Sequence, residues 1–165
     1  QGKAAWRRAI ATFPREPRRV RIAISADGAV HIEHQSPPGV NPTRVALAAH
    51  AMDTRSPFLF HKTTQRAMYE AARAAAPDAE DVLLWNEVGE LTESTIANVA
   101  VRVDGQWSTP PVRCGLLGGV MRDHLLATGE WVEGVVRREQ LAPGTEVQLA
   151  NAVRGVWTAT LISGG

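Results

Sequence analysis

Apolar and polar positions change period several times along the chain, and each change predicts an element. In RVRIAISADGAVHIEHQ they alternate on both sides of Asp27-Gly28, which predicts a β-hairpin with strands near 19–25 and 29–34. Before it, residues 4–13 read as the end of a helix that stops at the breaker-rich PREPRR. After it, SPPGVNP reads as a loop and RVALAAH as a further strand. The apolar run FLF has a strand-like texture and leads into TTQRAMYEAARAAA, a helix of strong formers ending at Pro77.

Beyond Pro77 the texture turns to strands. Tight turns at Val88-Gly89 and Asp104-Gly105 divide DVLLWNEVGELTES and IANVAVRVDGQWSTPP into short strands. A helix is predicted over Val120–Ala127, stopped by Gly129, and WVEGVVRR, TEVQLANAV and GVWTATLI read as closing strands. The order is mixed α+β with short connections, unlike the regular alternation of a doubly wound parallel sheet. A boundary near residues 51–57 assigns residues 1–52 to the end of a small N-terminal α+β domain and 53–165 to a larger C-terminal domain. The first fifty residues are too few to build a separate core, so they are expected to complete a domain that begins upstream.

Composition narrows the function classes. Apolar residues make up 44% and charged residues 21% of the 165, an ordinary soluble balance, and no run is long enough to span a bilayer. The net charge is only +1 and the arginines are scattered, so nucleic acid is not an expected partner. The single cysteine, Cys114, excludes an internal disulfide, fits a reducing, cytoplasmic compartment and reads as buried filler. His31, His34, His50 and His124 lack metal-ligand spacing, so no metal site is expected, while His61 borders a more interesting neighbour. Trp85, Trp107, Trp131 and Trp157 fall in strand-like segments and read as core or interface anchors.

That neighbour is Lys62. Sixteen arginines accompany only two lysines, Lys3 and Lys62. An amine loses its proton and attacks a carbonyl, which a guanidinium does not do, so a lysine kept mid-chain is a candidate nucleophile. In FLFHKTTQRAMYE, Lys62 lies at the junction of the apolar run and the helix, with Thr63 or Thr64 placed to cap that helix. In NEVGELTESTIANVAV, Glu93 stands before an apolar strand, where a partly buried carboxylate needs a cation or a donor. In CGLLGGVMRDHLL, two glycines open a helix and leave free N–H groups for an anion. In QLANAVRGVW, Asn151 and Ala152 interrupt a strand. Each segment alone has a bland reading as a helix start, a turn carboxylate, a helix opening or a strand end.

As an ordered set, HKTTQRAMY, LLWNEVGELTESTIANVAV, TPPVRCGLLGGVMR and LANAVRGVW resemble the class IV (fold type IV) aminotransferase-like enzymes that depend on pyridoxal 5'-phosphate (PLP). The nearest branch is the aminodeoxychorismate lyases, particularly the lyase portion fused behind aminodeoxychorismate synthase component I. The resemblance covers roughly residues 45–162, and residues 18–50 resemble the end of that family's smaller N-terminal domain. It implies that Lys62 is the Schiff-base lysine and that Glu93 is the partner of the pyridine nitrogen. It implies that the backbone at Gly119, Val120 and Met121 grips the phosphate with Asn151 and Ala152, that Arg66 supports the site, and that Thr95 and Ile96 pass along the ring.

Arg122 fits a buried structural arginine. Gly118 stands where many relatives have proline, and nothing matches the family's N-terminal phosphate-binding arginine. Ala67 replaces the tyrosine of branched-chain aminotransferases, which argues against that branch. The implied reaction converts 4-amino-4-deoxychorismate into 4-aminobenzoate and pyruvate, a folate-precursor step, in a homodimer acting on a small-molecule substrate. An aminotransferase acting on D- or branched-chain amino acids, and an inactive domain that folds without cofactor, remain the alternatives.

Overall fold

The computed structural model describes residue 13 and residues 15–163, so most of the helix expected over residues 4–13 lies outside the described residues. The chain divides into two compact units, between Val40 and Asn41. Residues 41–52, expected with the small domain, lie in the second unit. The reason is β3 (Arg44–Leu47), which pairs in parallel with β4 (Asp81–Trp85) on one side and β10 (Gly155–Leu161) on the other.

The first unit contains the expected hairpin: β1 (Arg19–Ile24) runs antiparallel to β2 (Val30–Gln35), with Ile24 opposite Val30 at its end. Gly28, at φ +82°, takes the left-handed turn position, and the Asp27 carboxylate accepts hydrogen bonds from Ser25 Oγ and the Ala29 N–H.

The second unit is one eight-stranded sheet in the order β5-β4-β3-β10-β9-β6-β7-β8. Its remaining strands are β5 (Leu91–Ser94), β6 (Asn98–Val103), β7 (Gln106–Thr109), β8 (Val132–Glu133) and β9 (Glu146–Asn151). The sheet is mixed: β7–β8 is parallel like the two β3 pairings, and the others are antiparallel. It curls until its edge β5 meets the segment after β8. There the Leu91 N–H donates to Val136 O at 2.7 Å, and Glu90 bridges Arg137.

Strand alternation sorts the side chains of this curled sheet. Val45, Leu83, Val99, Val101, Val147 and Leu149 fill one cluster together with Trp157 and Leu161. Their neighbours of opposite parity serve the helices. Val82 and Leu84 pack with Leu59 and with Tyr69 of α1 (Ala67–Ala74), while Ala100 and Ala150 pack with Trp131 and with Leu125 of α2 (Val120–Ala127). The buried valines and leucines contribute about 1.5–3 kcal/mol each. The tryptophans also find partners for their N–H groups: Trp85 donates to Ala48 O, Trp131 to Gln148 Oε1 and Trp157 to Pro42 O.

Two local expectations are corrected. The FLF segment is a 3-10 turn over Pro57–Leu59, not a strand, because Pro57 sets its first position and Leu59 alone is buried. The helix that follows starts at Ala67, with Arg66 as its N-cap residue and no side-chain cap. Thr63 instead accepts the Gln65 N–H in a local turn, so residues 62–66 form a non-helical approach to α1.

Candidate active site

The connection from β5 to β6, residues 94–98, is the hub to which the sequence-predicted residues attach. Ser94 closes it, taking the N–H groups of Ile96 and Ala97 on its hydroxyl. A β-bulge precedes it: Leu83 pairs with Ser94 and Trp85 with Leu91, so three steps along β5 face two along β4. In unbroken alternation Glu93 would point the same way as Leu91, into the apolar cluster. The bulge breaks the alternation, and Glu93 meets Tyr69 of α1 instead.

Glu93 is 6% exposed and accepts a hydrogen bond from the Tyr69 hydroxyl at 2.9 Å. Burial pushes its carboxyl up to about 7. The Tyr69 bond, the Leu117 N–H and the positive charges of Lys62 and Arg66 act in the opposite direction without overcoming burial. A carboxyl so placed is short of positive charge. Lys62 and Arg66 lie on the rim of a cleft shared with His61, Tyr69, Leu117 and Phe58. Lys62 is solvent-exposed, as an amine that must meet an incoming carbonyl has to be. Arg66 lays its guanidinium over the Tyr69 ring, 4.7 Å from its centroid, and donates to Thr95 O.

Thr95 is buried, with its hydroxyl turned to the Asp81 carboxylate and its carbonyl to Arg66. The Ile96 carbonyl accepts from Asn151 Nδ2 at 3.1 Å, which joins the β9–β10 turn to the hub. Asn151 Oδ1 meanwhile receives the N–H groups of Val153 and Arg154, and Ala152 lies exposed in that turn. The amide of Asn151 is thus committed to holding the turn against Ile96.

The start of α2 is tied to the same hub by Asn98. Its Nδ2 donates to Leu117 O at 2.8 Å, and its Oδ1 accepts the Gly119 N–H at 3.2 Å. A Cβ on Gly119 would stand 2.3 Å from that Oδ1, so only glycine permits this approach. Among the described residues no side chain caps α2, and Val120 is 76% exposed at its first position. The N–H groups of its first turn therefore lack a side-chain acceptor. Arg122 points away from them, buried, donating to Pro110 O and Glu133.

The structure thus brings Lys62, Arg66, Glu93, Thr95 and Ile96 around one hub and links Gly119 and Asn151 to it. Tyr69, Asn98, Asp81 and Leu117 belong to this arrangement and were missed. Asn98 had a signal, a polar amide inside the apolar strand IANVAV; Tyr69 and Asp81 carry none that separates them from helix filler and a turn acid.

A family model, amino-transferase class IV, matches residues 3–162. A Schizosaccharomyces pombe protein provisionally named aminodeoxychorismate lyase is 41% identical over 115 residues, covering 66% of this chain and 50% of that protein. The aminodeoxychorismate lyase of Saccharomyces cerevisiae is 32% identical over 126 residues, covering 64% of this chain and 34% of its own. The chain therefore spans half the length of one curated relative and about a third of the other. Among solved structures, a provisionally assigned amino-acid aminotransferase from Mesorhizobium loti superposes with a TM-score of 0.85 at 31% identity, covering 97% of this chain and 80% of that one.

Proposed function

Since the chain belongs to the amino-transferase class IV family, whose members depend on PLP, we propose that it forms the cofactor-binding part of a PLP-dependent aminodeoxychorismate lyase. The observation that carries this is Glu93: a buried carboxyl short of positive charge, beside a cleft that holds the chain's one central lysine. A pyridine nitrogen kept protonated by Glu93 is the cation that this site fits. The approach of Gly119 to Asn98 and the uncapped first turn of α2 suit a phosphate.

In this reading Lys62 would hold the cofactor through its aldehyde carbon, and Glu93 would keep the proton on its ring nitrogen. The N–H groups of Val120 and Met121 grip the phosphate, and Asn151, Ala152, Thr95 and Ile96 wall the site. PLP, when bound, supplies an electron sink for the carbon that loses a proton. Lys62 Nζ, released as the free amine when the substrate's amine replaces it, would take that proton from the carbon bearing the substrate's amine. Loss of the enolpyruvyl group as pyruvate leaves an aromatic 4-aminobenzoate, so the residues mainly position and shuttle a proton. The names of the two yeast proteins support the lyase over other reactions of the family. A cytoplasmic homodimer is the assembly we propose.

The Mesorhizobium loti structure favours a second reading, amination of a keto acid on the same scaffold. One experiment separates them. The full-length protein, loaded with PLP, is given aminodeoxychorismate or an amino-acid and keto-acid pair. Pyruvate release from the first is expected, and Lys62→Ala lowers it by at least about a thousandfold. Amination of the keto acid without pyruvate release sinks the lyase. Failure of borohydride to fix the cofactor on Lys62 sinks the PLP assignment itself.

A further inference from the structure

Tyr69 has no part in the reaction just described, yet its hydroxyl meets Glu93. Its hydroxyl donates to Glu93 Oε1 at 2.9 Å, and both side chains are more than nine-tenths buried. Tyr69 cannot drift. Its ring packs in one cluster with Val82, Leu84 and Leu59 and lies under the Arg66 guanidinium. Arg66 is itself tied to Thr95 O, two residues past Glu93. So α1 and the β5–β6 hub are clamped at two points, and one clamp closes on the carboxylate.

We propose that Tyr69 is a positioning residue for Glu93, fixing its carboxylate from α1 and holding it in the ionised form that a protonated pyridine nitrogen requires. The inference rests on the PLP reading for its consequence, while the Tyr69–Glu93 coupling stands without it. The chemistry has one direction. The phenol is pushed well above its ordinary range by burial and by the neighbouring Glu93 charge, so it stays protonated and always donates. A bond donated to a carboxylate favours the charged form. Removing the hydroxyl while keeping the ring leaves burial to act with less opposition, and Glu93 then holds its proton to higher pH.

Tyr69 is the only tyrosine among the 165 residues, so a tyrosine label in this chain reports on it alone. The full-length protein, freed of cofactor, is labelled with glutamate carrying carbon-13 at Cδ. The Glu93 resonance, assigned by its absence in Glu93→Gln, is titrated in wild type and in Tyr69→Phe. We expect the midpoint to rise by about half to one pH unit in Tyr69→Phe. In the loaded protein, PLP affinity should fall about three- to tenfold, with Lys62 still fixed by borohydride. An unchanged midpoint in a folded Tyr69→Phe overturns the proposal, whatever happens to thermal stability.

Should the variant not fold, 3-fluorotyrosine in the wild-type chain gives a fluorine reporter at Tyr69. Its shift should move with the Glu93 titration and lose that step in Glu93→Gln; a flat trace overturns the proposal equally. Failure of borohydride fixation alone would remove the PLP reading and leave the titration result standing.

Discussion

At the scale of single residues, Glu93 makes a prediction about pH. Its folded-state pKa is raised, to about 7 from an ordinary 4.5, so the folded chain without cofactor binds a proton that the unfolded chain has released over that window. Stability attributable to this group is therefore highest below about pH 4.5 and is lost as pH rises through 7. The shift corresponds to a loss on the order of 3 kcal/mol. In urea titrations of the apo protein, Glu93→Gln should flatten the decline between pH 4.5 and about 7, the interval that the two pKa values bracket, and exceed wild type above it. A wild-type slope retained in the variant would mean that other groups carry it. PLP should abolish the same decline, because a cation then balances the carboxylate.

At the scale of elements, the decisive features are where regular structure breaks. Gly119 has an ordinary extended backbone, at φ −87° and ψ 145°, so its requirement is space and not conformation. In Gly119→Ala the new methyl displaces Asn98 Oδ1, which frees the Gly119 N–H and strains the hold on Leu117 O. We expect a loss of about 1–3 kcal/mol in urea unfolding together with weaker PLP binding. Gly118→Ala is the control, since its Cβ would meet only Val112 Cγ2 at an ordinary 3.6 Å and should change stability by less than about 0.5 kcal/mol. Equal effects of the two substitutions would refute the Asn98 account.

The same breaks divide what the sequence made legible from what it did not. Periodic segments such as β1, β2 and α2 announced themselves within a residue or two, because alternation and a Gly129 stop are local signals. Lys62 and Glu93 stood out for their chemistry. The bulge in β5 is set by pairing with β4 and has no local signature, whereas the FLF turn had one in Pro57. Tyr69 meets Glu93 across 24 positions of sequence, and Asn98 meets Gly119 across 21. Such contacts exist only after the sheet has curled.

At the scale of the whole molecule, the two units differ in kind. The second unit's sheet encloses a cluster in which Val45, Leu83, Val99, Val147 and Leu149 are fully buried. The first unit's hairpin carries six ladder pairs but no buried residue in either strand, and Ile22 and Ile24 stand 48% and 72% exposed. A two-stranded ribbon of that kind is marginal in water, since its hydrogen bonds gain no support from enclosed apolar surface. Hydrogen exchange should resolve this directly. The β1 and β2 amides are expected to exchange through local opening, at least about a hundredfold faster than those of β6, β9 and β10, whose slowest members should report global unfolding. Protection of Ile22 and Ile32 equal to that of Val99 and Leu149 would mean that the hairpin is buried against other protein surface, and would refute this reading.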